Sequence, residues 1–486
     1  MVLSSGVHAS AYRTAYERAD TPCHRREIVT LLGHDPHDPS IGPHARAHLY
    51  LRLGILDLKS QRYADAIDDF DQVLRLTQSA PALVDRAIAY TALGQPEVAI
   101  ANYSAAILLD PKSVVPFINR AVLYAQRKQR ELAVQDYSSA LALQPDSAKA
   151  YFERASVLFD LKRYSLAATD YEKASRLRPA DIELYRLAGV SHDRAGEFAE
   201  AIASYTIAIR LVPNHAYTYT ERGKAYLHSG DIGNALADFS TAIRLDHSEV
   251  DALWMRAKQF EEINQLELAI DDYTAMLPLT AHPAQIYTYR ADDLTDLGED
   301  LAARQDYDRA SQIDPDDLHL RFGRMRFRFY QGDYSGAIQD ADRWLELVHR
   351  DDSDHSEQEP YVLAWRHMSS QRLGLNDKVS LAASADRLNK RVWPYPLIAL
   401  YLGEVDGTQL LADTDAGDQA GLPGRQCEAY AYLGESYMGV RQDTAARNAF
   451  EAAIAVCPQK FVERVLAKRE LRHLKDSNAS QPLAGE

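Results

Sequence analysis

Cysteine is almost absent: the chain has three, Cys23, Cys427 and Cys457, with no C-x-x-C pair and no zinc-finger spacing among them. That excludes a structural zinc site of the common kinds and a disulfide-built scaffold. Long apolar runs are missing too. No stretch approaches the roughly 18 apolar residues that a membrane helix needs, and the start, MVLSSGVHASAYRTAYERAD, has no basic region followed by an apolar one. The reading is therefore a protein without membrane insertion, cytoplasmic as written, and periplasmic if an N-terminal signal has been lost. Base is in deficit. With 54 Lys and Arg against 70 Asp and Glu, the formal charge is -16, so phosphate backbones and anionic lipids are repelled by the chain as a whole. Nucleic acid is not an expected partner. H-E-x-x-H, G-x-S-x-G, a phosphate-cradling glycine loop and the kinase set are all missing, so no active site and no cofactor are expected.

What is present is repetition. At 486 residues and 46% hydrophobic composition, the chain holds enough apolar material for about three ordinary domains, a count that a repeat array evades. Ala-x-x-x-Tyr/Phe-x-x-Ala recurs about every 34 residues: Ala99, Tyr103, Ala106; Ala133, Tyr137, Ala140; Ala167, Tyr171, Ala174; Ala201, Tyr205, Ala208; Ala235, Phe239, Ala242; Ala303, Tyr307, Ala310. Ala66 with Phe70 and Ala269 with Tyr273 fit with one substitution each. Apolar residues at i, i+4 and i+7 share one helix face, where alanines let backbones approach and the ring fills the gap. About 16 residues earlier stands a large residue followed by Arg and a small residue, as in Tyr151, Arg154, Ala155 and Tyr287, Arg290, Ala291. This is a first helix, packed closely at its small residue. Pro111, Pro145, Pro179, Pro213 and Pro315 follow the second helix at the same pitch and stop it, while Gly94, Gly230 or short polar runs turn the chain within a unit.

These residues resemble the tetratricopeptide family pattern W-x2-L-G-x2-Y…A-x3-F…P, with Tyr in place of Trp and Arg-Ala or Arg-Gly in place of Leu-Gly. The resemblance covers nine units over 47–350. A further unit at 427–458 matches more literally, with Tyr430, Leu433, Gly434, Tyr437, Ala446, Phe450, Ala453 and Pro458. The fold class implied is all-α, a superhelical solenoid of about ten helix-turn-helix repeats plus capping helices. Around this array the chain divides into an N-terminal helix pair and loop at 1–46, the array at 47–350, a degenerate helix pair and irregular insert at 351–426, a C-terminal unit and capping helix at 427–475, and a disordered tail at 476–486. The insert is expected to interrupt the superhelix or fold back on it.

The repeats align with one another inside one chain. Arg86, Arg120, Arg154, Arg222, Arg256, Arg290 and Arg324 share a register on the first helix, and Asp69, Asp136, Asp170, Asp238, Asp272, Asp306 and Asp340 share one on the second. In a single unit both are replaced together, by Ala188 and Ser204. Joint loss predicts an Arg–Asp bridge inside each unit, a structural ladder rather than an anion-binding one.

His34, His37, His44 and His48 gather around HDPHDP and read as solvated residues of a loop, with a transition-metal site as the alternative. Cys427 opens one helix and Cys457 closes the next, so both belong at the same end of a hairpin, either bridged or as two small buried residues.

The family resemblance also implies a groove lined by first helices that takes a protein or peptide. Its positions fall on Leu51, Ile55, Ile88, Ile118, Val122, Phe152 and Phe159, then Arg186, Arg194, Tyr217, Lys224, His228, Trp254 and Lys258, then Asp292, Asp296, Phe322, Arg326, Phe329 and Tyr330. Phe152, Phe159 and the middle set are the expected peptide site: an apolar stretch beside a basic, aromatic one, suited to an acidic or amphipathic segment. Some apolar positions would instead be covered by the N-terminal helices or a returning C-terminal segment. The function implied is a non-catalytic scaffold or adaptor. WPYPLIALYLGE, the segment from Cys427 to Pro458, and FVERVLAKREL resemble the closing part of bacterial tetratricopeptide lipoproteins that act as envelope adaptors, which gives a periplasmic adaptor as the narrower alternative. A hydrolase or metal-dependent enzyme, with its site in 391–426 or the N-terminal loop, is the alternative of a different class.

Overall fold

The computed structural model describes residues 22–33, 42–350, 357–415, 420–459 and 461–479. Among these residues there is no strand; helix follows helix from Pro22–Gly33 to Val462–Ala479. The chain forms two compact units, 1–231 and 232–486. The first holds the helices from Pro22–Gly33 to Ala216–His228, and the second those from Ile232–Leu245 onward.

In both units the repeated alanines and rings form the seam between helices. Tyr103, Tyr137, Tyr171 and Tyr205 in the first unit, and Phe239, Tyr273 and Tyr307 in the second, are at most 4% exposed. Each buries enough apolar surface to stabilise its repeat by about 2 kcal/mol relative to exposure. The small residue of the first helix makes room for the ring: a Cβ added to Gly189 would stand 2.7 Å from Tyr205, and one added to Gly434 would stand 2.5 Å from Phe450.

The turn between paired helices needs one residue in the left-handed region. Gly94, Gly196, Gly230, Gly298 and Gly332 supply it, and so do Gln61, Lys128, Lys162 and Asn264, with φ between 57° and 60°. The polar runs anticipated at these turns thus adopt the glycine conformation with side chains attached, at a conformational cost.

The arginine ladder lies inside the repeats. Arg120 is forked onto Asp136 at 2.7 and 2.8 Å, Arg154 onto Asp170 at 2.6 and 2.8 Å, Arg256 onto Asp272 at 2.9 and 2.6 Å, and Arg290 onto Asp306 at 2.6 and 2.8 Å. Arg222 and Asp238 belong to different units. Five ladder arginines also reach back one repeat: Arg120 donates to Ser104, Arg154 to Ser138, Arg222 to Thr206, Arg256 to Ser240 and Arg290 to Thr274. One guanidinium therefore joins the two helices of its repeat and ties them to the repeat before. Arg86 departs from the expected bridge, because the acid of its repeat is replaced by Asn102, which accepts from it at 2.8 Å while Asp71 of the repeat before supplies the charge. Where Ala188 replaces the arginine, Glu172 replaces the Ser/Thr, and His192 bridges Glu172 at 3.1 Å and Glu197 at 2.6 Å.

Two expectations need adjustment. His44 and His48 are exposed on the helix Pro43–Lys59 rather than in a loop, while His34 and His37 lie outside the described residues. No group of three His, Cys, Asp or Glu side chains among the described residues could hold a metal. The last helix runs to Ala479, past the expected start of the tail at 476, because Leu466, Ala467 and Leu474 keep an apolar stripe packed into the core; residues 480–486 lie outside the described residues.

Candidate protein-interaction surface

The groove positions named from sequence fall on the first helices of the repeats, at registers that the Ala-ring seam does not use. In the first unit Phe152 packs edge-on against Tyr171 at 5.8 Å, and Phe159 against Tyr164 at 5.1 Å, each only partly buried. The helices Ile182–Ala195 and Ala216–His228 carry the next group. A cavity of about 590 Å³ opens there, lined by Val190, Asp193, Arg194, Phe198, Tyr205, Glu221, Lys224 and His228, with Gly196 at its edge. Tyr217 is 39% exposed and lies beneath the Arg186 guanidinium, 5.4 Å from ring centre to Cζ.

The basic character expected of this group is largely cancelled. Glu183 forks Arg186 at 2.9 and 2.6 Å, Glu221 holds Lys224 at 3.3 Å, and Asp193 holds His228 at 2.7 Å. In the second unit Glu261 pairs with Lys258. Glu183, Glu221 and Glu261 stand three residues from their partners on the same helix, a spacing at which side chains are neighbours, so helix formation itself brings those charges in, whereas Asp193 reaches His228 from another helix, 35 residues away. Arg194 is the exception: it is exposed, and no described residue pairs with it.

Trp254 and Lys258 belong to the second unit. There Trp254 packs edge-on against Tyr289 at 5.0 Å, Tyr289 stacks on Tyr273 at 5.9 Å, and the Lys258 ammonium lies 4.4 Å from the Tyr289 ring centre. This aromatic patch therefore already contains a cation of its own. Beside it, burial and the nearby Glu261 push the Asp293 carboxyl up to about 9. Burial works in the same direction on Asp292, but the hydrogen bond from His319 and the charge of Arg326 outweigh it and hold that carboxyl below its usual range. Glu261, Tyr273, Tyr289 and His319 were not anticipated. Tyr273 belongs to the packing stripe and Tyr289 sits off the family's groove registers, whereas Glu261 and His319 share the registers of Phe159 and Tyr217 and could have been named from them.

The last groove positions are covered. Phe329 is 2% exposed and meets Trp365 at 5.1 Å, Arg372 lies over it at 5.6 Å, and Arg469 lies over Tyr330 at 4.7 Å. Arg469 also donates to the Thr295 carbonyl at 2.6 Å and to Asp300 at 2.9 Å. The C-terminal segment thus folds back on the end of the array, and Phe329 and Tyr330 serve that contact rather than an open groove, while Arg326 (8% exposed) is held by Asp292 at 3.0 Å. Cys427 and Cys457 form a disulfide, with Cα atoms 4.5 Å apart.

A family profile described as tetratricopeptide repeat matches residues 51–114, 118–182, 163–216, 186–249 and 220–286. Among solved structures, the chain is similar to a MamA protein (22% identity, 35% of this chain and 93% of that one, TM-score 0.32). It is also similar to YrrB, described as a tetratricopeptide protein with an unusual peptide-binding site (20% identity, 38% and 97%, TM-score 0.35). A third likeness is to the C-terminal part of a repeat-containing protein from Cytophaga hutchinsonii (18% identity, 49% and 98%, TM-score 0.42). With the repeat seam, the turns and the profile in agreement, the chain belongs to the tetratricopeptide repeat family, as an all-α solenoid.

Proposed function

We infer that this tetratricopeptide solenoid is a non-catalytic protein-interaction scaffold, and that partner segments bind its first-helix faces, at Phe152, Phe159, Arg186, Arg194, Tyr217, Lys224 and His228 in the first unit and at Trp254 and Lys258 in the second. One observation carries the reading: on the first-helix faces Arg194, Lys224 and His228 line a cavity of about 590 Å³ in the first unit, and Trp254 and Lys258 meet the Tyr289 ring in the second. Phe152, Phe159 and Trp254 pack on neighbouring rings yet stay only partly buried, Tyr217 is exposed, and aromatic anchors dominate protein interfaces. Because most of the cations are already paired, an amphipathic segment with apolar anchors fits better than a strongly acidic one, with Arg194 as the open contact for a carboxylate.

The test is affinity selection of short peptides on the full chain, followed by titration of the selected peptides against Phe152→Ala and Trp254→Ala. Each is expected to lose about 2 kcal/mol of binding, roughly thirtyfold in Kd. Unchanged affinity in both variants would move the interaction surface elsewhere.

The narrower reading is an envelope adaptor in an oxidising compartment. The Cys427–Cys457 disulfide supports it, since such bonds persist outside the reducing cytoplasm. Thiol labelling of the protein taken from its native cell, mapped to each cysteine, tests this: Cys427 and Cys457 blocked until reduction support it, and free thiols at both refute it.

A further inference from the structure

A second cavity, of about 250 Å³, lies in the first unit, away from the one described above. It is lined by the helix start Ala80, Pro81, Val84 and Asp85, by Ala106 and Asp110 at the close of the next helix, and by Ser113, Val115 and Pro116. Its walls are apolar except at two carboxyl groups and the Ser113 hydroxyl. Asp85 is only partly exposed, and no described residue donates a hydrogen bond or brings a cation to it. Burial alone pushes its carboxyl up to about 6. Asp110, at the rim, accepts one backbone N–H, from Lys112 at 3.1 Å. Val115 is 51% exposed and Leu108, nearby in sequence, is 85% exposed.

The contrast with neighbouring repeats is informative. Ladder carboxylates such as Asp136 and Asp170 are more deeply buried than Asp85, and each has its own arginine. A half-buried acid without a partner is unfavourable in the free chain, and folding would be served as well by an apolar residue. An acid at the inner end of an apolar slot complements one kind of side chain: a long aliphatic stem with a cationic head. Lysine and arginine bury such stems against apolar surface while the head seeks a carboxylate.

We propose that this cavity, at Val84, Asp85, Asp110 and Val115, is a binding pocket for a basic side chain, lysine or arginine, of the partner segment. The assignment rests on the scaffold reading and deepens it. It gives the early repeats a preference for positive charge, opposite to that of Arg194 farther along the same unit.

The experiment selects short random peptides on the full chain, wild type and Asp85→Asn in parallel. Wild type is expected to enrich peptides with lysine or arginine at one fixed position relative to their apolar anchors, and Asp85→Asn to lose that enrichment. A selected peptide should bind Asp85→Asn about tenfold more weakly than wild type. Replacing its basic residue with norleucine, which keeps the stem, should cost the same factor on wild type and almost nothing on the variant. Asp110→Asn, at the exposed rim, should have a smaller effect, and unchanged thermal melting would confirm that both variants fold. Enrichment of acidic or uncharged residues at that position, or equal affinity for wild type and Asp85→Asn, overturns the pocket. Peptides insensitive to Asp85 but sensitive to Trp254→Ala would leave the scaffold standing while this assignment falls. Selection of no peptide by wild type would remove both.

Discussion

The regular repeats and the C-terminal region from Glu359 onward are both built of paired helices, but they satisfy their buried charges in opposite ways. In the repeats, Arg120, Arg154, Arg256 and Arg290 each find an aspartate 16 residues ahead and a Ser or Thr 16 residues back. In the C-terminal region Arg372 holds Glu435, 63 residues away, at 2.8 Å and Glu470, 98 residues away, at 2.9 Å. Glu428 accepts from Tyr361 at 2.8 Å and from Trp393 at 2.6 Å. The array is assembled from local solutions repeated at a fixed pitch, whereas the C-terminal region is a globular core whose members are remote in sequence. In the array a defect stays within a repeat and its neighbours; in the C-terminal core it reaches every element that shares the network.

The sharpest way to break this comparison is to remove one arginine from each region. Arg372→Ala leaves Glu435 and Glu470 buried beside each other and is expected to cost about 3–5 kcal/mol, read by denaturant unfolding, whereas Arg154→Ala should cost about 2 kcal/mol. Equal losses would mean that local and remote pairing are energetically alike.

Titration sharpens it next. Burial, with the charge of Glu470, pushes the Glu435 carboxyl up to about 8, and burial, with Glu428, pushes Glu463 up to about 8, against an ordinary value of 4.5. Both folded values lie above the unfolded one, so between about 4.5 and about 8 the folded chain keeps protons that the unfolded chain has released. Stability of the C-terminal region should therefore fall as pH rises through that window, on the order of a few kcal/mol, and Glu435→Gln should flatten the dependence. Hydrogen exchange across the window, followed helix by helix, checks whether the decline is confined to this region.

Reduction of the disulfide comes third. It closes a loop with a sequence separation of 30, and Cys427→Ala/Cys457→Ala is expected to lower stability by about 3 kcal/mol, with melting of Leu422–Gly439 and Asp443–Val456 ahead of the repeats. Simultaneous melting would show one cooperative unit where two behaviours are expected. The smallest effect belongs to the array. Lys162 turns its repeat at φ 59°, so Lys162→Gly should raise stability by about 0.5–1 kcal/mol in thermal unfolding.

The repeat seam, the Arg–Asp bridges and the cysteine hairpin were legible in the sequence because each rests on side chains at fixed, short separations that recur or pair. The link from each arginine back to Ser104, Ser138 or Thr206 left a signal as well: Glu172 departs from that column in the repeat whose arginine became Ala188. The groove positions were chosen by residue type without their charge partners, although Glu183, Glu221 and Glu261 lie only three residues from the cations they neutralise. Nothing in the sequence singled out Glu435, Glu463 or Glu470, which read as ordinary helix-surface glutamates and are 2%, 4% and 5% exposed.

The sequence by itself determined the helix pairs, their pitch and their internal bridges, since a helix places residues three, four and seven apart on one face whatever surrounds it. Only the tertiary structure decided that Phe329 and Tyr330 are covered by Trp365 and Arg469, and that Asp85 stands in an apolar cavity without a cation. Burial and pairing of those groups depend on which distant helices return to them. No local spacing encodes that return, because it follows from the summed packing of the whole core.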